Sequence, residues 1–325
     1  MGKFLVTGAT GFVGSWLTRR LLKDGHEVSV LCRHENGLDP DLRERCKVHR
    51  GDITDAASLP PAFRGQDRVY HLAGYVGYKE DLRPLMEQVN VQGTENVLQA
   101  CLREKVPELV YMSSVVAIGA SHQPEVLNED SPYTITDLNL GYFETKKKAE
   151  ELVVKANASG ALKTFLLNPS TIYGPGDFKK GSRKAQLKVA LGKFPVYTNA
   201  GVSVVSIEDV VEAALRVTER GRPGERYVIS GDNLTIKQLF EKIAKEMGVS
   251  PPRILLLTPI VRALGKIGGM SKESSLTSTM YHWFDHTKAE KELGLHFKSA
   301  DEAIHSSVSW LKQNMDLVVG AERNP

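Results

Sequence analysis

Along the first half of the chain, short apolar runs alternate with stretches whose apolar positions recur at helical spacing. The runs 3–7, 27–32, 48–52, 68–73 and 109–113 read as strands, and 82–104 reads as a helix between the last two. Strands separated by helices imply a parallel sheet covered on both faces, with ligands at the carboxyl ends of the strands. After a polar loop at 121–139, a helix over 141–158 and a strand over 163–168 continue the pattern. Beyond Pro169 the texture changes. Tyr173-Gly174-Pro175-Gly176-Asp177 is turn chemistry, and 181–193 is basic and without clear form. Strands at 202–207 and 226–230 bracket a helix at 208–220 and are candidates to return to the main sheet. Amphipathic helices at 235–247 and 300–314 follow. There is no internal repeat.

Two places in this pattern carry chemistry. The first strand runs into Gly8, Gly11 and Gly14 before a helix restarts at Ser15. A strand that breaks at glycines and continues as a helix builds an anion site: the helix N-terminus offers unpaired N–H groups, and residues without a Cβ let a pyrophosphate approach the backbone. The second is Tyr142-Phe143-Glu144-Thr145-Lys146. Four residues apart on a helix, the phenol and the ammonium share a face, and the cation favours phenolate. Tyr75-Val76-Gly77-Tyr78-Lys79 has related spacing but follows a strand end and contains a glycine, so it reads as a decoy. Ser113-Ser114, at the end of the fifth strand, sets Tyr142 apart, because a hydroxyl there would hold a carbonyl oxygen while the tyrosine delivers a proton.

Composition narrows the field. Lys and Arg total 42 against 39 Asp and Glu, a net charge of +3, with no dense basic patch interleaved with aromatics, so nucleic acid is not expected as a partner. No run of 18 apolar residues is present, and neither a membrane partner nor a span is expected. Cys32, Cys46 and Cys101 form no ligand spacing and suit a reducing compartment, so a cytoplasmic location is expected. His282-Trp283-Phe284-Asp285-His286 lacks the glutamate of a zinc-protease motif; Asp285 reads as a cap before Thr287, and no metal is expected.

Taken together, the segments 7–14, 67–74, Asn90-Val91-Gln92-Gly93-Thr94, Tyr111-Met112-Ser113-Ser114, Tyr142-x-x-x-Lys146 and 168–175 resemble the extended short-chain dehydrogenase/reductases, in that family's order. Arg222-Pro223-Gly224 and Trp283-Phe284-Asp285 extend the likeness. Gly14-Ser15-Trp16-Leu17 is similar to the dihydroflavonol-reductase-like branch, and the chain also resembles bacterial sugar epimerases. The resemblance implies that Tyr142 is the acid/base, that Lys146 lowers its pKa and holds the nicotinamide ribose, and that Ser114 orients the substrate oxygen. It further implies cofactor contacts from Gly8, Thr10, Gly11, Phe12, Val13 and Gly14, adenine contacts from Asp52 and Ile53, and backbone contacts from Leu72, Ala73 and Gly74. Pro169 and Ile172 would border the nicotinamide, and Asn90 would support a helix kink or a relay water. Gly74 departs from the family's usual alanine.

Cofactor choice has its own signal. An NAD enzyme of this kind places a carboxylate at the end of the second strand for the ribose hydroxyls; this chain has Cys32 there, followed by Arg33 and His34. A guanidinium grips a 2′-phosphate through paired charge-assisted bonds, so NADP(H) is preferred, with NAD(H) the other candidate. The expected architecture is α/β, a Rossmann-type doubly wound parallel sheet over 1–172 with 202–230 returning to it, and a smaller mixed α/β substrate lobe from 173–201 and 231–325. The expected activity is NADP(H)-dependent reduction of a ketone or aldehyde. The alternative is an epimerase or dehydratase for a nucleotide- or lipid-linked sugar, whose support is a basic group at Lys179, Lys180, Arg183, Lys184 and Lys188. The helices near 85–104 and 141–158 resemble the family's dimer-forming pair, so a homodimer is expected.

Overall fold

Seven apolar runs form one parallel sheet in the computed structural model, which describes residues 1–177 and 184–315. In chain order its strands are β1 (Lys3–Thr7), β2 (Glu27–Cys32), β3 (Lys47–Arg50), β4 (Arg68–His71), β5 (Glu108–Met112), β6 (Lys163–Pro169) and β7 (Arg226–Ile229). Side by side they run β3-β2-β1-β4-β5-β6-β7, so the order reverses direction between β1 and β4. That reversal opens a crevice at the carboxyl ends of these two strands.

The alternation of side chains across the sheet explains its two covers. Phe4 and Val6 face one layer, with Val28, Val30 and the helices α1 (Phe12–Lys23) and α4 (Ile207–Arg220). Leu5 faces the other, with Val69, Leu109 and the helices α2 (Gly93–Arg103) and α3 (Gly141–Ala158). Both faces are dry, which is why β1, β2 and β5 are apolar nearly throughout.

Of the two strands that were candidates to rejoin the sheet, Arg226–Ile229 does so as edge strand β7, pairing β6 in parallel. Gly201–Ser206 pairs elsewhere. It lies in a second sheet between Asn233–Thr235 and Tyr281–Phe284, with Thr171–Tyr173 against its far end. Pro169 ends β6 opposite Ile229, and Thr171–Tyr173 leaves along a new direction that carries Gly201–Ser206 with it. The lobe's helices α5 (Ile236–Met247) and α6 (Ala300–Gln313) start at reciprocal capping boxes, Thr235 with Gln238 and Ser299 with Glu302. No helix among the described residues is long and apolar enough to cross a membrane.

The first turn after β1 is set by backbone contact. Gly8 has φ +78°, and a Cβ there would lie 2.6 Å from the Ala73 nitrogen; a Cβ on Gly14 would lie 2.1 Å from the Gly8 carbonyl oxygen. Glycine here is a packing requirement. Gly25, with φ +83° and nothing within 4 Å, needs only conformational freedom. Gly25→Ala therefore costs about 1 kcal/mol in urea unfolding, whereas Gly14→Ala, which must move backbone, costs on the order of 3 kcal/mol. Equal losses would show that α1 does not depend on contact with the loop.

Candidate active site

A cleft of about 510 Å³ runs across the switch point, lined by the ends of β1, β2 and β4. Gly8, Thr10, Gly11, Arg33, Asp52, Ile53, Leu72, Ala73 and Gly74 all line it. Gly11 caps α1 without any side-chain hydrogen bond, leaving the helix N-terminus facing the cleft. With the missing Cβ atoms of Gly8 and Gly14, this cradle fits a dinucleotide's pyrophosphate. At the other end Arg33 is exposed and carries no ion pair to the described residues, so its guanidinium is available to a ribose phosphate. The Asp52 carboxylate is already engaged by the Thr54 N–H and hydroxyl, both at 2.9 Å.

Phe12, Val13, Gly14, Ser114, Tyr142, Lys146, Pro169 and Ile172 are not on the lining. Phe12, Val13 and Ile172 pack into the core beneath it, Gly14 seats α1 on the loop, and Pro169 closes β6. The floor contributes residues that the motif reading missed: Leu31, Thr54, Leu85, Gln88 and Val89. Their only sequence signal is position, one turn apart on a helix or at a strand end.

A buried polar chain ties this cleft to α3, the helix that carries Tyr142. The Ala73 N–H donates to Thr7 Oγ1 at 3.2 Å, and Thr7 Oγ1 meets His71 Nδ1 at 2.8 Å. His71 Nε2 meets Thr94 Oγ1 at 3.0 Å, and that hydroxyl donates to the Asn90 carbonyl at 2.6 Å. The Thr94 proton is thus committed, so Nε2 carries the ring hydrogen and Nδ1 accepts from Thr7. Asn90 lies in a π-helical stretch, Glu87–Gln92, the kink expected there. Its side chain accepts from the Tyr75 N–H at 2.7 Å and donates to the Tyr75 carbonyl at 2.9 Å and to Thr145 Oγ1 at 3.2 Å. Thr145 donates to the Tyr142 carbonyl at 3.1 Å.

Tyr142, Lys146 and Glu150 follow one another down the buried face of α3. The Tyr142 phenol lies beside Ser114, whose hydroxyl oxygen accepts the Val116 N–H at 3.4 Å. Lys146 donates to the Met112 carbonyl at 2.9 Å and to the Tyr111 hydroxyl at 3.2 Å, and a Cβ on Gly74 would be 3.8 Å from its Nζ. Gly74 is therefore where the cleft lining comes next to Lys146. Burial pushes the Tyr142 phenol up, with Tyr78 adding to it and Ser114 opposing. In this geometry Lys146 turns toward Tyr111 and Met112, and Ser114 is the neighbour that opposes the rise of the phenol. Burial lowers Lys146 to about 8 against the pull of Glu150.

Tyr78, part of the pair read as a decoy, is not on a helix, yet its ring stands 6.1 Å from that of Tyr142. Leu82, Met86, Val116, Leu276 and Met280 complete an apolar surround. Glu273, from the lobe, accepts the Gly141 N–H at 3.0 Å and so caps α3 from a distant part of the chain. Of the basic group proposed for a sugar diphosphate, Lys188 is exposed, while Lys179, Lys180, Arg183 and the Lys184 side chain lie outside the described residues. Asp285 accepts the Thr287 N–H at 2.9 Å in an i→i+2 turn, but the residue at the cap of the Thr287–Leu293 helix is His286, which makes no side-chain cap bond, so Asp285 stands one position ahead of the cap expected of it.

The comparisons with known proteins point the same way. The family model for the NAD dependent epimerase/dehydratase family matches residues 4–230. A dihydroflavonol 4-reductase-like protein of Synechocystis is 27% identical over 96% of this chain and 95% of its own length. A 3 beta-hydroxysteroid dehydrogenase/Delta 5-->4-isomerase of Mycobacterium tuberculosis is 32% identical over 81% of this chain and 74% of its own. A double mutant of DesIV, a dTDP-glucose 4,6-dehydratase of Streptomyces venezuelae solved with NAD bound, shares the fold with a TM-score of 0.81, covering 98% of this chain and 99% of its own at 24% identity.

The polar chain predicts a pH effect. Burial and the neighbouring Lys146 hold His71 at about 3, far below its ordinary 6.5, so the folded state keeps it neutral. As pH falls below about 6.5 the unfolded chain binds a proton that the native state refuses, and stability is lost at up to ~1.4 kcal/mol per pH unit. His71→Asn, unable to take that proton, is less stable than the wild type at pH 8, and the gap narrows toward pH 5. A gap that stays constant in urea titrations at the two pH values would mean that His71 is protonated in the fold.

Proposed function

The chain belongs to the NAD dependent epimerase/dehydratase family, an oxidoreductase class of enzyme, and from that premise we propose that it is an NADP(H)-dependent reductase of a ketone or aldehyde carried on a largely apolar molecule. The observation that carries this reading is the Ser114–Tyr142 pair, set in an apolar surround where the nucleotide cleft ends at Gly74 and Lys146. The relatives named as a reductase and as a hydroxysteroid dehydrogenase support it.

The chain's own residues divide the work. The Ser114 hydroxyl oxygen accepts from Val116, which leaves its O–H to donate to the substrate carbonyl oxygen. Tyr142, raised by burial, keeps its proton at neutral pH and gives it to that same oxygen as the carbonyl carbon is reduced. A bound reduced nicotinamide supplies the hydride to the carbon. Lys146, reaching the cleft at Gly74, would hold the nicotinamide ribose and, still mostly protonated below about pH 8, stabilise the phenolate left behind. Arg33 would take the 2′-phosphate. A homodimer through the 83–103 helix and α3 has exposed Leu85 and Val154 on those helices in its favour.

The alternative, a sugar epimerase or dehydratase that retains its nucleotide, makes a different demand: the purified protein would carry bound NAD. On the reductase reading it is purified empty and binds NADPH more tightly than NADH. Arg33→Ala then reduces that preference about tenfold or more in calorimetric titration, since charge-assisted bonds to the phosphate are lost. Tyr142→Phe leaves NADPH affinity unchanged and lowers kcat about 10²- to 10⁴-fold in a screen of apolar ketones and aldehydes. Retained NAD, or a Tyr142→Phe enzyme of full activity, would overturn the assignment.

A further inference from the structure

One stretch of the lobe departs from the rest of the surface. From Gly248 to Lys272 there are 25 residues, with Arg253, Arg262, Lys266 and Lys272 and no Asp or Glu, where the chain's average would place about three acids. Half of the exposed large apolar side chains among the described residues fall in the same stretch: Ile254, Leu255, Leu257, Ile260 and Ile267, all between 42% and 78% exposed. Ile254–Leu256 forms only a two-stranded pairing with Val196–Thr198, and the helix Thr258–Lys266 that follows buries Val261 while turning Ile260 outward. A soluble surface seldom leaves so many branched apolar residues together in water.

A second observation lies beside the first. A cleft of about 540 Å³ opens next to this helix, lined by Arg262 and Thr258 from it, by Asn199, Thr279 and Tyr281 from the body of the lobe, and by His122 from the loop that follows β5. Neither Arg262 nor His122 has an ion pair to the described residues, and both are exposed. Among the described residues Lys272 meets Glu80 at 4.0 Å, while Arg253, Arg262 and Lys266 have no ion pair. Apolar side chains beside these three cations, and a polar cleft with an unpaired guanidinium, are what an anionic lipid surface matches: acyl chains meet the first, phosphate groups the second.

We propose that the 253–272 face docks on an anionic lipid bilayer, with Leu257 and Ile260 entering the headgroup boundary and one lipid phosphate taken between Arg262 and His122. The absence of a spanning run does not bear on this, because a face that lies on a bilayer needs no 20-residue helix. The docked helix packs on Lys272–Thr277, whose Glu273 caps α3 and whose Leu276 lies against the Tyr142 cluster. The surface is thus continuous with the cover of the active site. The proposal rests on exposed residues alone and stands whether the enzyme is a reductase or an epimerase.

The test is sedimentation of the full chain with vesicles of phosphatidylcholine alone and of phosphatidylcholine mixed with phosphatidylglycerol in equal parts. Binding is expected to the mixed vesicles and not to the neutral ones, and to weaken as salt rises from about 0.1 to 0.5 M. Arg262→Glu with Lys266→Glu, and separately Leu257→Ser with Ile260→Ser, should each reduce partition about tenfold or more. All four positions lie on the surface, and unchanged nucleotide affinity and melting temperature show that the variants are folded. Three results would overturn the proposal: no sedimentation with either vesicle, binding that both double variants retain, or a dimer in light scattering that the Leu257→Ser, Ile260→Ser variant converts to monomer. The last would assign the face to a second copy of the chain.

Discussion

The structure depends on keeping one neutral imidazole buried between two layers. His71 ends β4 at the switch point, where the sheet reverses order, and both of its ring nitrogens are committed. One faces the strand that carries the glycine loop; the other reaches, through Thr94 and Asn90, the helix that carries Tyr142. A charged imidazole donates from both nitrogens and would need a second acceptor at Nδ1, where Thr7 already donates. Neutrality is therefore part of the geometry, and burial enforces it. The π-helical stretch at 87–92 serves the same end, since it lets Asn90 turn its backbone carbonyl to Thr94 and its amide to both Tyr75 and Thr145. The cleft and the helix that carries Tyr142 are thereby joined by one hydrogen-bonded chain.

Much of that unit was legible in the sequence because it is local. The spacing of Gly8, Gly11 and Gly14 reports a strand-to-helix turn. Tyr142 and Lys146 share a helix face whatever surrounds them, and Arg33 follows directly on β2. What the sequence did not reveal is long-range or irregular. Tyr78 sits in a loop, so its approach to Tyr142 follows from tertiary packing and has no period. Glu273 caps a helix whose first residue is 132 positions away. The destination of the 201–206 strand was set by the turn after Pro169, and strand pattern alone does not name a strand's partner. Lys146 is instructive in another way: the i,i+4 spacing placed it correctly, while its contacts with Tyr111 and Met112 depend on a strand that spacing does not describe.

Below Lys146 the same helix face carries Glu150, which extends the Tyr142–Lys146 spacing by one more turn. It is fully buried, hydrogen-bonded by Asn168 and paired with Arg226 at 3.1 Å. Asn168 also donates to the Ser114 carbonyl at 3.0 Å. The loop that presents Ser114 and the helix that presents Tyr142 are thus referred to the same carboxylate. Arg226 belongs to β7, the edge strand added from the far side of the lobe's first sheet strand. A buried pair of this kind contributes little net stability, but removing one partner strands a charge. Its benefit here is placement: β7 must be docked before the helix face is electrically complete.

The lobe enters the site by a different route from the Rossmann half. Tyr142, Ser114 and Lys146 are positioned from the sheet side, by strand ends and by the polar chain through His71. From the lobe come Leu276 and Met280, which pack in the apolar cluster around Tyr142, and Glu273, which takes the free N–H at the start of α3. A carboxylate at a helix N-terminus interacts favourably with the unpaired N–H groups and the dipole. A lobe displaced from the sheet would lose that cap and expose the apolar surround together. The contact that seats the lobe against α3 therefore also orders the first turn of that helix, and Tyr142, which lies in that turn, is fully supported only when the lobe is in place.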